Sequence, residues 1–506
     1  MAAILSVGCA YGKGGRVLTS TSDRTQVFQN SKVKESKSPQ GTVITLDPNQ
    51  KFQSMDGFGA ALTGSSCYNL LRMSASDRRD FLRRTFSPSA MGFSYIRVSI
   101  GCSDFSLSEF TCCDEVGIEH FALTKEDTDY VIPVLKEILA INPSIRILGS
   151  PWTCPKWMKV NNLQELKPFD SWTSGQLNPK YYQDYAEYFV RWVKAYEAAG
   201  VPIYSITVQN EPLNRGNSAS LFMGWQEQQT FIAKALGPAF QKAGLKTKIY
   251  AFDHNYNYDN MDDQQQYPLR VYDDEVAAAF LTGAAYHNYG GNRQELLRIG
   301  QERPDKELIF TETSIGMWND GRNLERRLVE DMREVALGTV NNGCRAVIVW
   351  NLMLDTDRGP FRPGGCSTCY GAVDLDRNDL KTITLNSHYY IIGHLSSVVQ
   401  PDAVRITTRP NPDEGRQTGM RRPQQAGGQR PDGPRPEGQR PGGQRGARQQ
   451  PQEGSLMYSA FQNPDGRLAF VVLNPKQTEE KISLTTDGKR YINLTVPARA
   501  VSSVAF

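Results

Sequence analysis

Ser205-Ile-Thr-Val-Gln-Asn-Glu-Pro212 is the stretch that decides the fold. Residues suited to a buried strand run up to Val208 and then into three polar side chains, Gln209, Asn210 and Glu211, before Pro212 stops the run. A buried strand that ends on hydrogen-bonding groups is the unit of parallel β/α proteins, whose chemistry gathers at the carboxyl ends of the strands.

Outward from this stretch the unit repeats. Between about Lys51 and Asn386, short apolar segments alternate with amphipathic ones: Phe52 to Gly57, Ser94 to Val98, Ile145 to Gly149, Tyr204 to Val208, Lys248 to Phe252, Ala284 to His287, Leu308 to Thr311 and Ala346 to Trp350. Pro179, following Asn178, opens a helix whose Tyr182, Tyr185, Phe189, Trp192 and Tyr196 recur at three- and four-residue spacing. Leu324, Leu328, Met332, Val335 and Thr339 mark another. Eight strands with helices between them predict an α/β fold, a closed (β/α)8 TIM barrel; a doubly wound open sheet is the alternative on pattern alone.

Beyond His394 the helical period is lost, and Leu468 to Asn474, Lys481 to Thr485 and Tyr491 to Val496 read as strands of an appended antiparallel β-sandwich, which Thr42 to Leu46 could join. The expected division is therefore a signal remnant and disordered N-terminus over 1–26, sandwich strands over 27–49, the catalytic barrel over 50–388 and the sandwich over 389–506. Residues 409–454, with repeated Gly-Gln-Arg-Pro units, lack the apolar residues to form a core and are expected to be a disordered insertion.

That insertion distorts the charge. From Arg409 to Glu453 it holds nine Arg against five Asp or Glu, a surplus of four, so the formal +3 of the chain becomes about −1 for the rest. A near-neutral body does not suggest a nucleic-acid partner, and the Arg-rich stretch reads as a solvated linker before it reads as a polyanion site. No run of 18 apolar residues is present, so no transmembrane segment is expected. Met1-Ala-Ala-Ile-Leu-Ser-Val-Gly-Cys9 resembles the end of a bacterial lipoprotein signal, which predicts a lipid anchor at Cys9 and a periplasmic or cell-surface location. Some of the remaining eight cysteines could then pair, with free thiols or a small disulfide loop expected for Cys366-Ser-Thr-Cys369. The half zinc-ribbon spacing there has no second pair, so no metal is expected.

At the predicted strand ends stand Gly57-Phe-Gly59, Arg97 and Asp104, Trp152, Asn210-Glu211, Asp253-His254, His287 and Tyr289, Glu312, and Trp350-Asn351. Glu211 and Glu312 each follow an apolar strand, the fourth and the seventh, and would face each other across the barrel mouth. Glycoside hydrolysis needs such a pair, one acid for the leaving oxygen and one carboxylate to attack the anomeric carbon or to activate water. A lone strand-end Glu is more often a structural ion pair; two together, beside Asn210 and several aromatics, point to chemistry. Trp152 and Trp350 offer flat faces for a pyranose, Asp104 and His287 offer hydrogen bonds, and Asn210 could bind the sugar 2-hydroxyl.

The segments Asp56-Gly-Phe-Gly-Ala-Ala-Leu-Thr63, Ile96-Arg-Val98, Cys102-Ser-Asp-Phe-Ser106, Ser150-Pro-Trp-Thr-Cys-Pro-Lys-Trp157, Gln209-Asn-Glu-Pro212 and Thr311-Glu-Thr313 together resemble glycoside hydrolase family 30, the glucosylceramidase-like group. The resemblance implies a retaining β-glycosidase with Glu211 as acid/base and Glu312 as nucleophile, no cofactor, and Asp104, Trp152, Asn210, His287 and Trp350 lining the sugar pocket. It places Arg97 and Tyr289 near the nucleophile, where they would keep Glu312 ionised, while burial and the neighbouring charge would raise the proton affinity of Glu211. Gln209-Asn-Glu-Pro212 and His287-Asn-Tyr-Gly-Gly291 look most like the bacterial endo-β-1,6-glucanase branch. Glucosylceramidase or another exo-β-glucosidase, a xylan-type hydrolase and a non-catalytic glycan-binding protein are the alternatives. The expected partner is a β-glucan or glucoside substrate, and the expected state a monomer.

Overall fold

A computed structural model of the protein describes residues 15–410 and 454–506. Eight parallel strands close into a barrel: β1 (Gly57–Ala61), β2 (Tyr95–Ile100), β3 (Arg146–Pro151), β4 (Ser205–Thr207), β5 (Lys248–Asn255), β6 (Gly283–His287), β7 (Glu307–Glu312) and β8 (Cys344–Val349). The ring closes where β8 pairs with β1, Ala346 opposite Gly57. Inside it Tyr95, Leu148, Tyr250, Ala285, Ile309, Ala346 and Ile348 pack together as a filled core, so the barrel is open to ligands only at its mouth. Helix Tyr182–Ala198 turns Tyr185, Phe189, Trp192 and Tyr196 fully inward, as its spacing predicts. The second predicted helix runs as Leu324–Asp331, a wide π turn at Met332–Ala336, and Leu337–Asn341.

The first strand departs from the sequence reading. Phe52 to Gly57 is not the barrel strand: Phe52 is exposed near the end of the sandwich strand Thr42–Ser54, and β1 begins at Gly57. Gly57-Phe-Gly-Ala-Ala61 reads as a loop because of its glycines, yet Gly59 is there for contact. A Cβ at this position would come 1.8 Å from the Tyr95 carbonyl oxygen of β2.

The sandwich is one ten-stranded sheet curled over its own core, where Ile44, Leu46, Ile482 and Leu484 meet Phe470, Val472 and Val504. Thr42–Ser54 joins its halves: the first residues pair in parallel with Glu480–Thr485, and the rest antiparallel, through two register shifts, with Val404–Arg409. Strand Leu468–Asn474 is buried on both faces, with Ala469, Val471 and Leu473 turned to the main core, and so reads as a continuous apolar run rather than an alternating one.

The N-terminal expectation also needs correcting. Arg16–Thr21, placed by sequence in a disordered leader, is a strand of this sheet between Ala500–Ala505 and Gln29–Lys32. Its hydroxyl residues all find partners, Thr19 Oγ1 lying 2.9 Å from Ser502 Oγ across the sheet, Ser20 Oγ accepting from the Phe28 amide (2.9 Å) and Thr21 Oγ1 donating to Asp23 (2.5 Å), which is why a polar-looking segment is buried. Cys9, the expected lipid-anchor position, and the insertion apart from its end residues lie outside the described residues.

Residues 411–453 connect neighbouring antiparallel strands, Val404–Arg409 and Met457–Gln462, with Ile406 opposite Ala460. A short hairpin turn can therefore replace them. Shortening the loop should add about 2 kcal/mol of closure entropy to stability. We expect the shortened chain to keep its hydrolytic activity and melt no lower than the full one; a lower melting temperature would show that the segment holds the sandwich together.

Candidate active site

The carboxyl ends of the strands bring a single network to the barrel mouth, centred on Arg97 of β2. Its side chain is wholly buried. Nε donates to Ser150 Oγ (3.1 Å), one terminal nitrogen to Asn210 Oδ1 and Asp253 Oδ2 (both 2.8 Å), and the other to Glu312 Oε2. Asp253 is held in turn by Thr207 (2.7 Å), Thr311 (2.5 Å) and His287 Nε2 (2.9 Å). Because Asn210 accepts through its oxygen, its NH2 is the group left for a ligand.

Glu211 and Glu312 face each other beside this network. One oxygen of each, and one ring nitrogen of His287, lie within 4.8 Å of one another. The Tyr289 hydroxyl sits 3.0 Å from Glu312 Oε1. On the other side, Glu211 Oε2 accepts from the amides of Asn214 (2.7 Å) and Asn217 (2.9 Å), and Oε1 faces His287 Nδ1 at 3.4 Å. Glu211 itself has φ 44°, a left-handed conformation that a Glu adopts only under constraint. Two carboxyl groups about 5 to 5.5 Å apart suit direct attack by one of them, whereas roughly 6.5 to 9.5 Å leaves room for a water between carboxylate and substrate. An oxygen of Glu211 lies within 4.8 Å of one of Glu312, an approach that fits the first case.

The proton affinities differ from those expected. Burial would push the His287 imidazolium down, but the charges of Glu312 and Asp253 outweigh it and lift His287 to about 9. Burial likewise raises Glu211, yet the hydrogen bond from His287 and the charges of His254 and His287 prevail and hold it at about 2. Glu312 moves the other way: burial raises it, and the charges of Glu211 and Asp253 add to the rise against the pull of His287 and Arg97. The sequence reading has Glu211 raised; the structure lowers it instead, because two imidazoles sit beside it. Burial, then Glu312 and Glu211, push Asp104 up to about 7.

All nine predicted site residues therefore reach the mouth or its floor, but the tryptophans do so differently from the prediction. Trp152 and Trp350 are only 1% and 3% exposed. They stack on each other with centroids 5.1 Å apart, and the Arg97 guanidinium lies 4.9 and 5.5 Å from the ring centroids. Most of their surface thus supports Arg97 rather than being offered to a pyranose. Sequence reasoning left Asp253 and His254 without a role and did not single out Ser150, Thr207, Asn214, Asn217 or Thr311; Thr207 and Thr311 stand on the quoted strands β4 and β7, a signal within reach.

Glu211, His287 and Glu312 have the proximity of a cation site. The donor chemistry does not fit one: an imidazolium donating from both nitrogens has no lone pair to give, and Arg97 already neutralises Glu312. The Cys366–Cys369 pair is joined as a small disulfide loop, and Cys67, Cys102, Cys112, Cys113, Cys154 and Cys344 are free and buried. Among the described residues no helix is long and apolar enough to cross a membrane.

Comparison with known proteins agrees with this geometry. The profile of the glycosyl hydrolase family 30 TIM-barrel domain matches residues 55–399, and that of the family 30 beta sandwich domain matches residues 446–504. A solved endo-beta1,6-glucanase superimposes with a TM-score of 0.87 at 56% identity, covering 97% of this chain and 99% of its own. Endo-1,6-beta-D-glucanase neg1 of Aspergillus fumigatus is 29% identical over 70% of this chain and 72% of its own length. Lysosomal acid glucosylceramidase of Mus musculus is 25% identical over 78% of each. The chain is an O-glycosyl hydrolase and belongs to glycosyl hydrolase family 30.

Proposed function

We propose that the protein is a retaining endo-β-1,6-glucanase, with Glu312 as nucleophile and Glu211 as acid/base. The observation that carries the mechanism is the close approach of the two carboxylates, within 4.8 Å at their nearest oxygens. In the first step a Glu312 oxygen bonds to the anomeric carbon as the glycosidic bond breaks, and Glu211 gives its proton to the leaving hydroxyl. In the second, Glu211 takes a proton from water while that water's oxygen displaces Glu312, which restores both groups. A glycosidic oxygen seated against Glu211 excludes water there and favours the neutral carboxyl, countering the imidazoles. The Asn210 NH2 donates to the sugar 2-hydroxyl, and Asp104 accepts from a hydroxyl of the same sugar.

The substrate reading is supported by the 56% identity to an endo-beta1,6-glucanase over nearly the whole chain. Glucosylceramide is the second reading, favoured by the murine relative. Incubation with linear β-1,6-glucan and, separately, glucosylceramide separates them. Early mixed-length oligosaccharides from the glucan are expected; glucose and ceramide from the lipid, with the polymer intact, would overturn the glucanase reading. Export as a lipoprotein belongs to the same proposal, supported by the Gly8-Cys9 end of the leader-like segment and by the Cys366–Cys369 disulfide.

Glu211→Ala tests the acid role. Turnover of the glucan should fall by roughly 10²- to 10⁴-fold, while an aryl glucoside with a very good leaving group should be largely spared. Added azide should enter the space left and yield a β-glycosyl azide. An α product would sink retention.

A further inference from the structure

Successive side chains of a strand point to opposite faces, so a barrel strand should aim only alternate residues at its mouth. β5 departs from this. Phe252 and Asp253 both have positive φ, 71° and 74°, and the register against β6 shifts between Phe252 and His254. The displaced Phe252 amide donates to Gln228 Oε1 instead (2.8 Å). This bulge turns two consecutive side chains into the site. Asp253 takes Arg97 and His287, and His254 arrives beside Glu211 with Nε2 at 3.9 Å from Oε1.

A second irregularity meets the first at the same imidazole. Tyr258, Asp259 and Asn260 all have left-handed φ, 52°, 50° and 56°, and the Asp259 carboxylate lies 3.3 Å from His254 Nε2. Asp259 is steadied through Oδ1, which accepts from Asn255 Nδ2 (3.0 Å). Non-glycine residues held in this region cost free energy and persist where the surroundings impose them, often at functional sites. His254 is 1% exposed, and its Nδ1 has no hydrogen-bond partner among the described residues. Four groups from three strands and the segments that follow them face this ring: Glu211 after β4, Asp253 on β5 and Asp259 after it, and His287 on β6, its ring centroid 6.3 Å away.

We propose that His254 is a positioning residue for the acid/base: with Nε2 set between the Asp259 carboxylate (3.3 Å) and Glu211 Oε1 (3.9 Å), the ring holds the Glu211 carboxyl in line with the leaving oxygen through the electrostatic pull of its N–H edge. The inference rests on Glu211 being the acid/base. A consequence follows for pH. The imidazole favours the charged carboxylate, so its removal lets Glu211 keep its proton to higher pH. The basic limb of the activity profile, which reports loss of the acid's proton, then moves up.

The test compares wild type with His254→Gln and Asp259→Asn in the full chain, measuring kcat/KM across pH on β-1,6-glucan and on a dinitrophenyl glucoside that needs no acid. For His254→Gln, glucan activity is expected to fall roughly ten- to hundredfold while the activated glucoside stays within about threefold. The basic limb should move to higher pH in His254→Gln, and Asp259→Asn should show a smaller fall confined to the glucan. An equal fall on both substrates with the limb unmoved would reduce His254 to a structural residue and overturn the proposal, as would no change on either. Asp259 is partly exposed, so if His254→Gln does not fold, the presence or absence of a glucan-selective fall in Asp259→Asn decides alone. Should Glu211→Ala itself hydrolyse the glucan normally, the acid/base assignment fails; if it behaves as expected and these variants do not, only the role of His254 fails.

Discussion

Glu312→Gln is expected to abolish turnover, by on the order of ten-thousandfold or more, for the glucan and for activated glucosides alike. The amide keeps the volume of the side chain and one oxygen for Arg97 or Tyr289 to bond, but it cannot form the ester to the anomeric carbon. Sugar binding should survive, because the hydroxyl-binding groups are untouched. The same change should raise stability at neutral pH. A buried carboxyl whose folded proton affinity exceeds its unfolded one opposes folding once pH passes the ordinary carboxylate range, and burial and Glu211 put Glu312 in that position. A 2-fluoro glucoside should label wild type and leave the variant unlabelled in intact mass, and thermal melting at neutral pH should move up. Substantial residual turnover of an activated glucoside would remove Glu312 from the nucleophile's role. A lowered melting temperature would show that its ion pair with Arg97 outweighs the cost of burying it.

What the sequence disclosed, and what it hid, follows from the range of the interactions involved. Seven barrel strands were legible because burial on both faces leaves a short apolar run ending in polar residues, as at Leu308 to Glu312. β1 was not, because its glycines are explained only by the approach of Tyr95, 36 residues away from Gly59. Arg16–Thr21 escaped for a similar reason: one of its two pairing partners, the one that carries it into the sandwich, lies at the far end of the chain. Within the site, the carboxylates could be found from their places at strand ends. The relation of His254 to Glu211 could not, since it depends on a bulge that no local pattern announces. The direction at Glu211 was not legible either, as its proton affinity is set by two imidazoles from other strands. Trp152 and Trp350 stand at strand ends in the sequence, but only the position of the Arg97 guanidinium shows that they face a cation.

Arg97 is therefore the residue whose loss should be felt most widely. Arg97→Lys replaces a planar fork bonded to Ser150, Asn210, Asp253 and Glu312 with a point charge that cannot satisfy all four, and Arg97→Leu leaves two buried carboxylates without their cation. Removing one partner of a buried ion pair costs about 3–5 kcal/mol. Both variants should lose activity on every substrate, since the nucleophile loses its support and Asn210 its anchor, in contrast to the selective loss expected for Glu211→Ala. The pH dependence of melting identifies the cause. Though burial alone would raise Asp253, Arg97 outweighs it and holds Asp253 well below the ordinary carboxylate range. A depressed carboxyl contributes stability that is fully present above its unfolded value, about 4, and is lost as pH falls toward the folded one. The gap in melting temperature between wild type and Arg97→Leu should accordingly be widest at neutral pH and narrow in acid, where the orphaned carboxylates take up protons. A gap that stays constant with pH would mean that Arg97 stabilises the mouth through its packing on Trp152 and Trp350, and that the charge network is secondary to that stack.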